Sequence, residues 1–302
     1  MSERTLKLPV DKTAVPTLSG LWLQLARVSW VVLAVAALLV LVAALPGYAA
    51  KFGGQLSHAT GIALPPGSRF FAAASGVASL ASALLSVALS VLLFHRKFGE
   101  PVATLLAFFL LLYGIAFAGP LEFATTYWLG SPQFGIVLQG LLTPAPMIAL
   151  LLLFPDGRFI PHWTRWPMLL VLPWNVALLT LIPFDAASFG RAPLLTVALV
   201  VLFIAFIFVA LYAQIYRYRR AATHNERQQI RWAAYGFALW IGYILLSTIP
   251  YMYLSGLAPD APTPWWGPAS ELGWWLSLSI LPVCLTIAIT RYRLWEIDVV
   301  IN

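Results

Sequence analysis

The chain has 302 residues, of which 61% are hydrophobic and 10% charged, with a mean hydropathy of +0.86. These values exclude an ordinary soluble protein and predict an integral membrane protein. The formal net charge is +7, and the single cysteine, Cys284, lies in an apolar run. One thiol cannot build a disulfide framework or a thiolate metal cluster within the chain.

Apolar runs long enough to cross a bilayer recur along the chain. A transmembrane helix needs about 20 mostly apolar residues, and eight runs fall near that length. The first is read as an uncleaved anchor, because it is too long for a secretory signal and is followed by a poor cleavage site. The predicted spans are residues 28–45, 70–94, 102–121, 134–154, 167–183, 194–216, 232–251 and 272–290. We therefore predict an all-α, polytopic membrane bundle of about eight helices over residues 28–290.

Basic residues divide unequally between the two sides of this topology. Fifteen of the eighteen lysines and arginines fall on the side of the chain termini, and Lys51, Arg69 and Arg191 fall on the other. The positive-inside rule then places both termini in the cytoplasm. Residues 1–27 become a cytoplasmic N-terminal segment and residues 291–302 a cytoplasmic juxtamembrane strip. The positive-inside distribution of basic residues accounts for the positive net charge. The charge is therefore not evidence for a nucleic-acid-binding surface, and no nucleic-acid partner is expected.

Two predicted cytoplasmic loops carry recognisable local signals. In Phe-Pro-Asp-Gly-Arg-Phe (154–159), Asp156 can bond the backbone ahead of it and Gly157 can adopt the left-handed conformation, which predicts a tight turn next to Arg158. The alternatives are a hairpin turn and a rigid knob that touches the juxtamembrane strip. Thr223 and Glu226 have capping-box spacing, which predicts a helix that starts about two turns before Trp232.

Arginines follow this predicted helix start. Arg227 and Arg231 lie four residues apart, and they could meet the acids of the juxtamembrane strip or form a basic collar at the lipid headgroups.

Small hydroxyls and aromatic residues mark two further regions. Ser75, Ser79, Ser82, Ser86 and Ser90 follow one side of the second span. They predict an internal packing seam, with a subunit contact or a ligand groove as alternatives. Proline-stiffened aromatic residues and one carboxylate fill the last outer loop, where they predict either an interfacial belt or a pocket for an apolar or cationic ligand. The candidate ligand-binding residues are Tyr251, Tyr253, Trp265, Trp266, Glu271 and Trp274.

Residues 291–302, RYRLWEIDVVIN, follow the last predicted span directly. Leu294, Ile297, Val300 and Ile301 would share one side of an extended helix, which predicts a short amphipathic strip at a membrane exit. The strip is either a solvated end of the last helix or a segment that transmits a signal to a partner. The candidate output residues are Arg291, Arg293, Leu294, Trp295, Ile297 and Asp298.

This terminal string resembles the juxtamembrane segment of multi-pass sensor histidine kinases of two-component systems. LLLFPDGRFIPHWTRW (151–166) resembles the Phe-Pro-Asp-Gly-Arg loop of the same family, and NERQQIRWAAYGFAL (225–239) resembles its Arg-Gln-Gln helix start. The strings occur in the family's order within the second half of the chain. The resemblance implies a sensor module of a bacterial inner membrane, with a homodimer and a cytoplasmic kinase or response regulator as expected partners.

The chain departs from that family because the kinase core and the spans that normally follow the string are absent. It is expected to be a fragment, a split gene product or a stand-alone receptor, and not itself an enzyme. Membrane lipids are expected partners, and no cofactor or metal is expected. Two other functions stay open: a transporter of lipid or small molecules without ion coupling, and a structural subunit of a membrane complex. No predicted span carries Asp, Glu, Lys or Arg near its middle, which disfavours ion-coupled transport.

Overall fold

The computed structural model describes residues 18–52, 69–181, 193–220, 222–248, 250 and 266–290. Every regular element in these ranges is helical, which confirms the predicted all-α membrane bundle. Two π-helical turns occur at Tyr113–Phe117 and Ile244–Thr248, and a 3-10 turn occurs at His162–Thr164. The α-helices are α1 (Gly20–Phe52), α2 (Arg69–Lys97), α3 (Pro101–Leu112), α4 (Pro120–Leu129), α5 (Pro132–Leu142), α6 (Pro144–Leu153), α7 (Arg165–Leu181), α8 (Pro193–Arg220), α9 (His224–Tyr243), α10 (Gly267–Ser277) and α11 (Ile280–Thr290).

Six helical stretches within these ranges are long and apolar enough to cross a membrane, and the bent pair of α3 and α4 brings the number to seven. The pair α5 and α6 forms one of the six, and the pair α10 and α11 forms another. The predicted fifth span corresponds to α7, which has 17 residues. At 1.5 Å per residue, α7 extends about 25 Å, which is shorter than a hydrocarbon core of about 30 Å. The count of eight therefore stays a prediction.

Described helices extend beyond the predicted spans at three places. The first helix begins at Gly20, before the predicted span at residues 28–45, and it continues past the end of that span through Lys51 to Phe52. The predicted loop before Pro132 is largely α4, which follows a 42° bend. Tertiary contacts explain this helix: the Phe123 and Tyr48 rings are 4.4 Å apart, and Trp128 donates to the Ala43 carbonyl at 2.8 Å.

Two of the described spans are interrupted close to a proline. The fourth predicted span breaks at Thr143, directly before Pro144, because a proline cannot continue the hydrogen-bond ladder of the preceding turn. The last span breaks between Ser277 and Ile280, just before Pro282. By contrast, α7 continues through Pro173.

The buried apolar side chains form one large cluster, a smaller one, and a third of only Leu41, Ala83 and Ala118. The large cluster joins α1 to α4 with α9, α10 and α11, and the smaller one joins α6, α7 and α8. Apolar side chains also cover the free faces of several helices, as Leu38 (60% exposed), Leu172 (59%) and Phe208 (66%) illustrate. Such faces are suited to contact with lipid, because their side chains are apolar and the backbone polar groups of a helix are already hydrogen-bonded within it.

Candidate functional site

A buried ion pair joins the first span to the last. Lys51, in the last turn of α1, is fully buried, and its ammonium donates to the Glu271 carboxylate of α10. The Glu271 side chain is 16% exposed. The Lys51 ammonium also lies 5.5 Å from the centre of the Phe123 ring of α4. A buried ammonium without a partner is costly, so this pair fixes α1 against α10 at what we call the Lys51 end of the bundle.

Hydroxyl groups join α10 to the end of α9 and to the π-helical turn that follows it, at the same end of the bundle. The Tyr243 hydroxyl donates to the Ser270 carbonyl, and the Ser247 and Ser270 hydroxyls are 2.6 Å apart. A Cβ atom on Gly273 would lie 2.5 Å from the Tyr243 hydroxyl oxygen, so a larger residue would displace the Tyr243 ring from this contact. The start of α10 is therefore held on two sides.

The predicted ligand-binding residues fall partly on this helix. Tyr251, Tyr253 and Trp265 lie outside the described residues, so their grouping stays a prediction. Trp266 directly precedes α10, and the Trp274 ring packs 6.1 Å from the Phe117 ring. Glu271, another of the candidate ligand-binding residues, forms an ion pair with Lys51 of this chain, and its place in a ligand pocket stays a prediction.

The last span is interrupted within the bundle, and hydroxyls from neighbouring helices bond the carbonyls there. Pro282 has no N–H group for the carbonyl of Leu278, four residues earlier, and this carbonyl accepts the Tyr113 hydroxyl at 3.0 Å. The carbonyl of Trp275 accepts the Ser82 hydroxyl of α2 at 2.8 Å. Both contacts meet the requirement that a buried carbonyl find a donor.

The serine stripe on α2 forms the predicted internal seam. All five serines are buried, which is against a role as an exposed subunit contact or open groove. Ser79 accepts from Tyr48 at 2.8 Å and donates to the Ala118 carbonyl at 2.6 Å, and Ser90 donates to the Ala107 carbonyl at 2.6 Å. Thus the stripe serves carbonyls of α3, of the α3–α4 break and of α10.

The turn at residues 154–159 has the predicted local geometry. Gly157 has φ = 78°, and the Arg158 N–H donates to the Asp156 carboxylate at 3.2 Å. The side chain that pairs with Asp156, however, is Arg217 of α8, whose Nη1 lies 3.3 Å from it. The Arg158 side chain is exposed.

Arg217 is a residue whose role sequence reasoning missed. It is 2% exposed, and its Nη2 donates to the carbonyls of Leu152, at 3.2 Å, and Arg158. Gln214, one turn earlier, donates to the carbonyls of Leu151 and Phe154. These side chains satisfy carbonyls at the C-terminus of α6, where a helix dipole also favours a cation. The i, i+3 spacing of two polar residues near the end of an apolar helix was the available signal.

The predicted capping box is confirmed at the start of α9. The Thr223 N–H donates to the Glu226 carboxylate at 2.7 Å, and the Glu226 N–H donates to the Thr223 hydroxyl at 3.4 Å. Arg231 donates to the Tyr218 hydroxyl from Nε at 3.0 Å, while Arg227 is exposed. The strip of residues 291–302, with Arg291, Arg293, Leu294, Trp295, Ile297 and Asp298, lies outside the described residues, so its contact with these arginines stays a prediction.

Comparison with known proteins adds no assignment. No protein-family model, no curated protein and no solved structure matches this chain.

Proposed function

We propose that this chain is a membrane sensor module that passes a signal along its last span, α10 and α11, to a cytoplasmic partner. The observation that carries the proposal is the ion pair between Lys51 and Glu271. Because α10 supplies the carboxylate for a fully buried ammonium of α1, its first turns cannot move without breaking the pair or carrying α1 along. Movement at the Lys51 end is thereby coupled to α10, which leads directly into α11.

The packing of the last span supports the same role. In its apolar stretch 56% of residues are buried, against 22 to 39% for the other five helical stretches that can cross a membrane. Close-packed interiors do not deform continuously, so a displaced central helix must repack against its neighbours in discrete steps. A central helix is therefore suited to switching between two arrangements.

The input is proposed to act at the Lys51 end, on the non-cytoplasmic side of a bacterial inner membrane. The partly exposed Glu271 and Trp274 lie on α10 there, and Trp266 directly precedes this helix. A ligand that binds these aromatic side chains, or a change in the bilayer around them, would alter the geometry of the ion pair.

The output is proposed to leave through residues 291–302, which follow α11 directly in the sequence. The turn at residues 154–159, which Arg217 holds rigidly, would be a fixed surface against which this strip moves. A histidine-kinase core or a response regulator would receive the movement and carry the phosphate chemistry, and a homodimer is the proposed assembly.

A fusion of the chain to a histidine-kinase core after Asn302 tests the proposal. Autophosphorylation of the fusion in membrane vesicles is compared for the parent, Lys51→Gln, Glu271→Gln and the exchanged pair Lys51→Glu with Glu271→Lys. We expect each single change to alter autophosphorylation by about fivefold or more, because loss of the pair shifts a two-state equilibrium. The exchanged pair should return the activity toward the parent value.

A second fusion, which lacks residues 291–302, should lose the response to these changes. Equal autophosphorylation in all variants would contradict the proposal. Uptake of a solute by vesicles that contain the chain would support a transporter instead, and stable co-purification with non-signalling membrane subunits would support a structural role.

A further inference from the structure

The break in the last span has a specific hydrogen-bond geometry. The Ser279 N–H bonds to the carbonyl of Leu276, three residues earlier, at 3.1 Å, so the chain is wound at this point as a 3-10 turn. In a continuous α-helix this N–H would bond to the carbonyl of Trp275, four residues earlier. That carbonyl accepts the Ser82 hydroxyl of α2 instead, at 2.8 Å.

The Trp275 carbonyl therefore has two alternative donors. The Ser82 hydroxyl serves it in the interrupted form, and the Ser279 N–H would serve it in a continuous form. The Ser82 hydroxyl would keep a partner after the exchange, because the Ser279 hydroxyl lies 2.7 Å away. Neither form leaves the Trp275 carbonyl or the Ser82 hydroxyl without a hydrogen-bond partner. The two forms therefore do not differ by the large free-energy cost of an unpaired buried carbonyl.

Pro282 limits how far the continuous form can develop. It has no N–H group, so the Leu278 carbonyl depends on the Tyr113 hydroxyl at 3.0 Å. The helix can regain the bond to Trp275 but not the bond to Leu278. Pro282 thus keeps the interrupted form populated, while Ser82 and Ser279 compete for one carbonyl.

We propose that this break is a two-state hinge, in which the Trp275 carbonyl exchanges between the Ser82 hydroxyl and the Ser279 N–H and α11 rotates as a result. A role of this hinge in signalling rests on the proposed function, whereas the exchange of hydrogen bonds depends only on the structure of the helix bundle. A 3-10 helix turns about 120° per residue and an α-helix about 100°, so each converted residue rotates α11 by about 20°. At a side-chain radius of about 5 Å, this moves surface groups of α11 by about 2 Å.

Spin-label distances in the full chain test the hinge without any kinase. Labels are placed at Arg96, which is exposed near the end of α2, and at Thr290, the last residue of α11. The hydroxyl of Thr290 bonds to the Thr286 carbonyl of its own helix, so the label replaces a local contact. The native cysteine is removed by Cys284→Ala, and the distance is measured by double electron–electron resonance in lipid nanodiscs.

Three variants are compared in this labelled background. Ser82→Ala removes one of the two competing donors and should shift the ratio of forms roughly two- to tenfold toward the continuous helix. Pro282→Ala restores the missing N–H group and should move the mean distance in the same direction. Ser86→Ala is the matched control, because Ser86 is an equally buried serine of α2 whose hydroxyl bonds to the Ser82 carbonyl of its own helix.

The hinge is supported if Ser82→Ala and Pro282→Ala both shift the mean distance in one direction, by up to about 1 Å of the roughly 2 Å that separates the two forms, while Ser86→Ala leaves it unchanged. It is overturned if Ser82→Ala causes no shift, if the two variants shift the distance in opposite directions, or if Ser86→Ala shifts it equally. If Ser82→Ala does not fold, Pro282→Ala decides the question alone. An intact hinge combined with an unresponsive kinase fusion would refute the proposed function and leave the exchange standing.

Discussion

Removing the carboxylate of Glu271 should destabilise this protein more than removing the ammonium of Lys51. The two side chains differ in burial, since that of Lys51 is 0% exposed and that of Glu271 is 16% exposed. Glu271→Gln leaves a fully buried ammonium without its counter-charge, and such losses cost about 3–5 kcal/mol. Lys51→Met keeps most of the buried aliphatic volume and leaves a carboxylate that water can reach, so we expect a cost of about 1–3 kcal/mol.

A double-mutant cycle measures this difference. The free energy of unfolding is determined by chemical denaturation of the purified chain in detergent micelles, for both single variants and the double variant. We expect the double variant to cost less than the sum of the single variants by at least about 1 kcal/mol, because the ion pair is counted in both. Lys97→Met and Glu100→Gln provide the control, since that pair is longer, at 3.4 Å, and both of its side chains are partly exposed, so we expect it to contribute only about 1 kcal/mol.

Two results would refute the reasoning. One is a larger loss of stability for Lys51→Met than for Glu271→Gln, which would mean that burial does not set the cost. The other is additivity of the single variants within about 0.5 kcal/mol, which would mean that the ion pair does not couple α1 to α10.

Three further outcomes can be checked by the same unfolding measurement. Arg217→Lys should cost about 2 kcal/mol, because a single ammonium cannot reproduce a guanidinium that contacts one carboxylate and two carbonyls; a change below about 0.5 kcal/mol would contradict this. Gly47→Ala should cost about 1–3 kcal/mol, because its Cβ would lie 2.7 Å from the Phe123 carbonyl oxygen. Gly242→Ala is the control and should be neutral or stabilising, because no atom lies within 4 Å of its Cβ. Equal effects of the two substitutions would contradict this prediction. Thr223→Ala should cost about 1 kcal/mol through loss of the helix cap, and circular dichroism should report slight fraying of α9; full stability and helicity in this variant would disprove the capping role.

Local features were accessible from the sequence because they depend on neighbours in the chain. The capping box at Thr223 and the left-handed Gly157 each involve groups within a few residues, so their geometry follows from the residue types. The apolar runs fixed the helical membrane bundle for a similar reason, since a backbone in lipid must bond to itself. The serine stripe on α2 could also be predicted as a seam, because helical periodicity alone places its members on one side.

The partners of these groups were decided by the tertiary structure. Lys51 and Glu271 are 220 residues apart in sequence, and nothing local indicates that their helices meet. Arg217 looked like one more member of a basic helix end, yet folding buries it against the C-terminus of α6. Likewise, the sequence placed hydroxyls along α2 but could not assign Ser82 to the Trp275 carbonyl. Periodicity determines which side chains share a face, whereas helix packing alone determines which buried donor and acceptor satisfy each other.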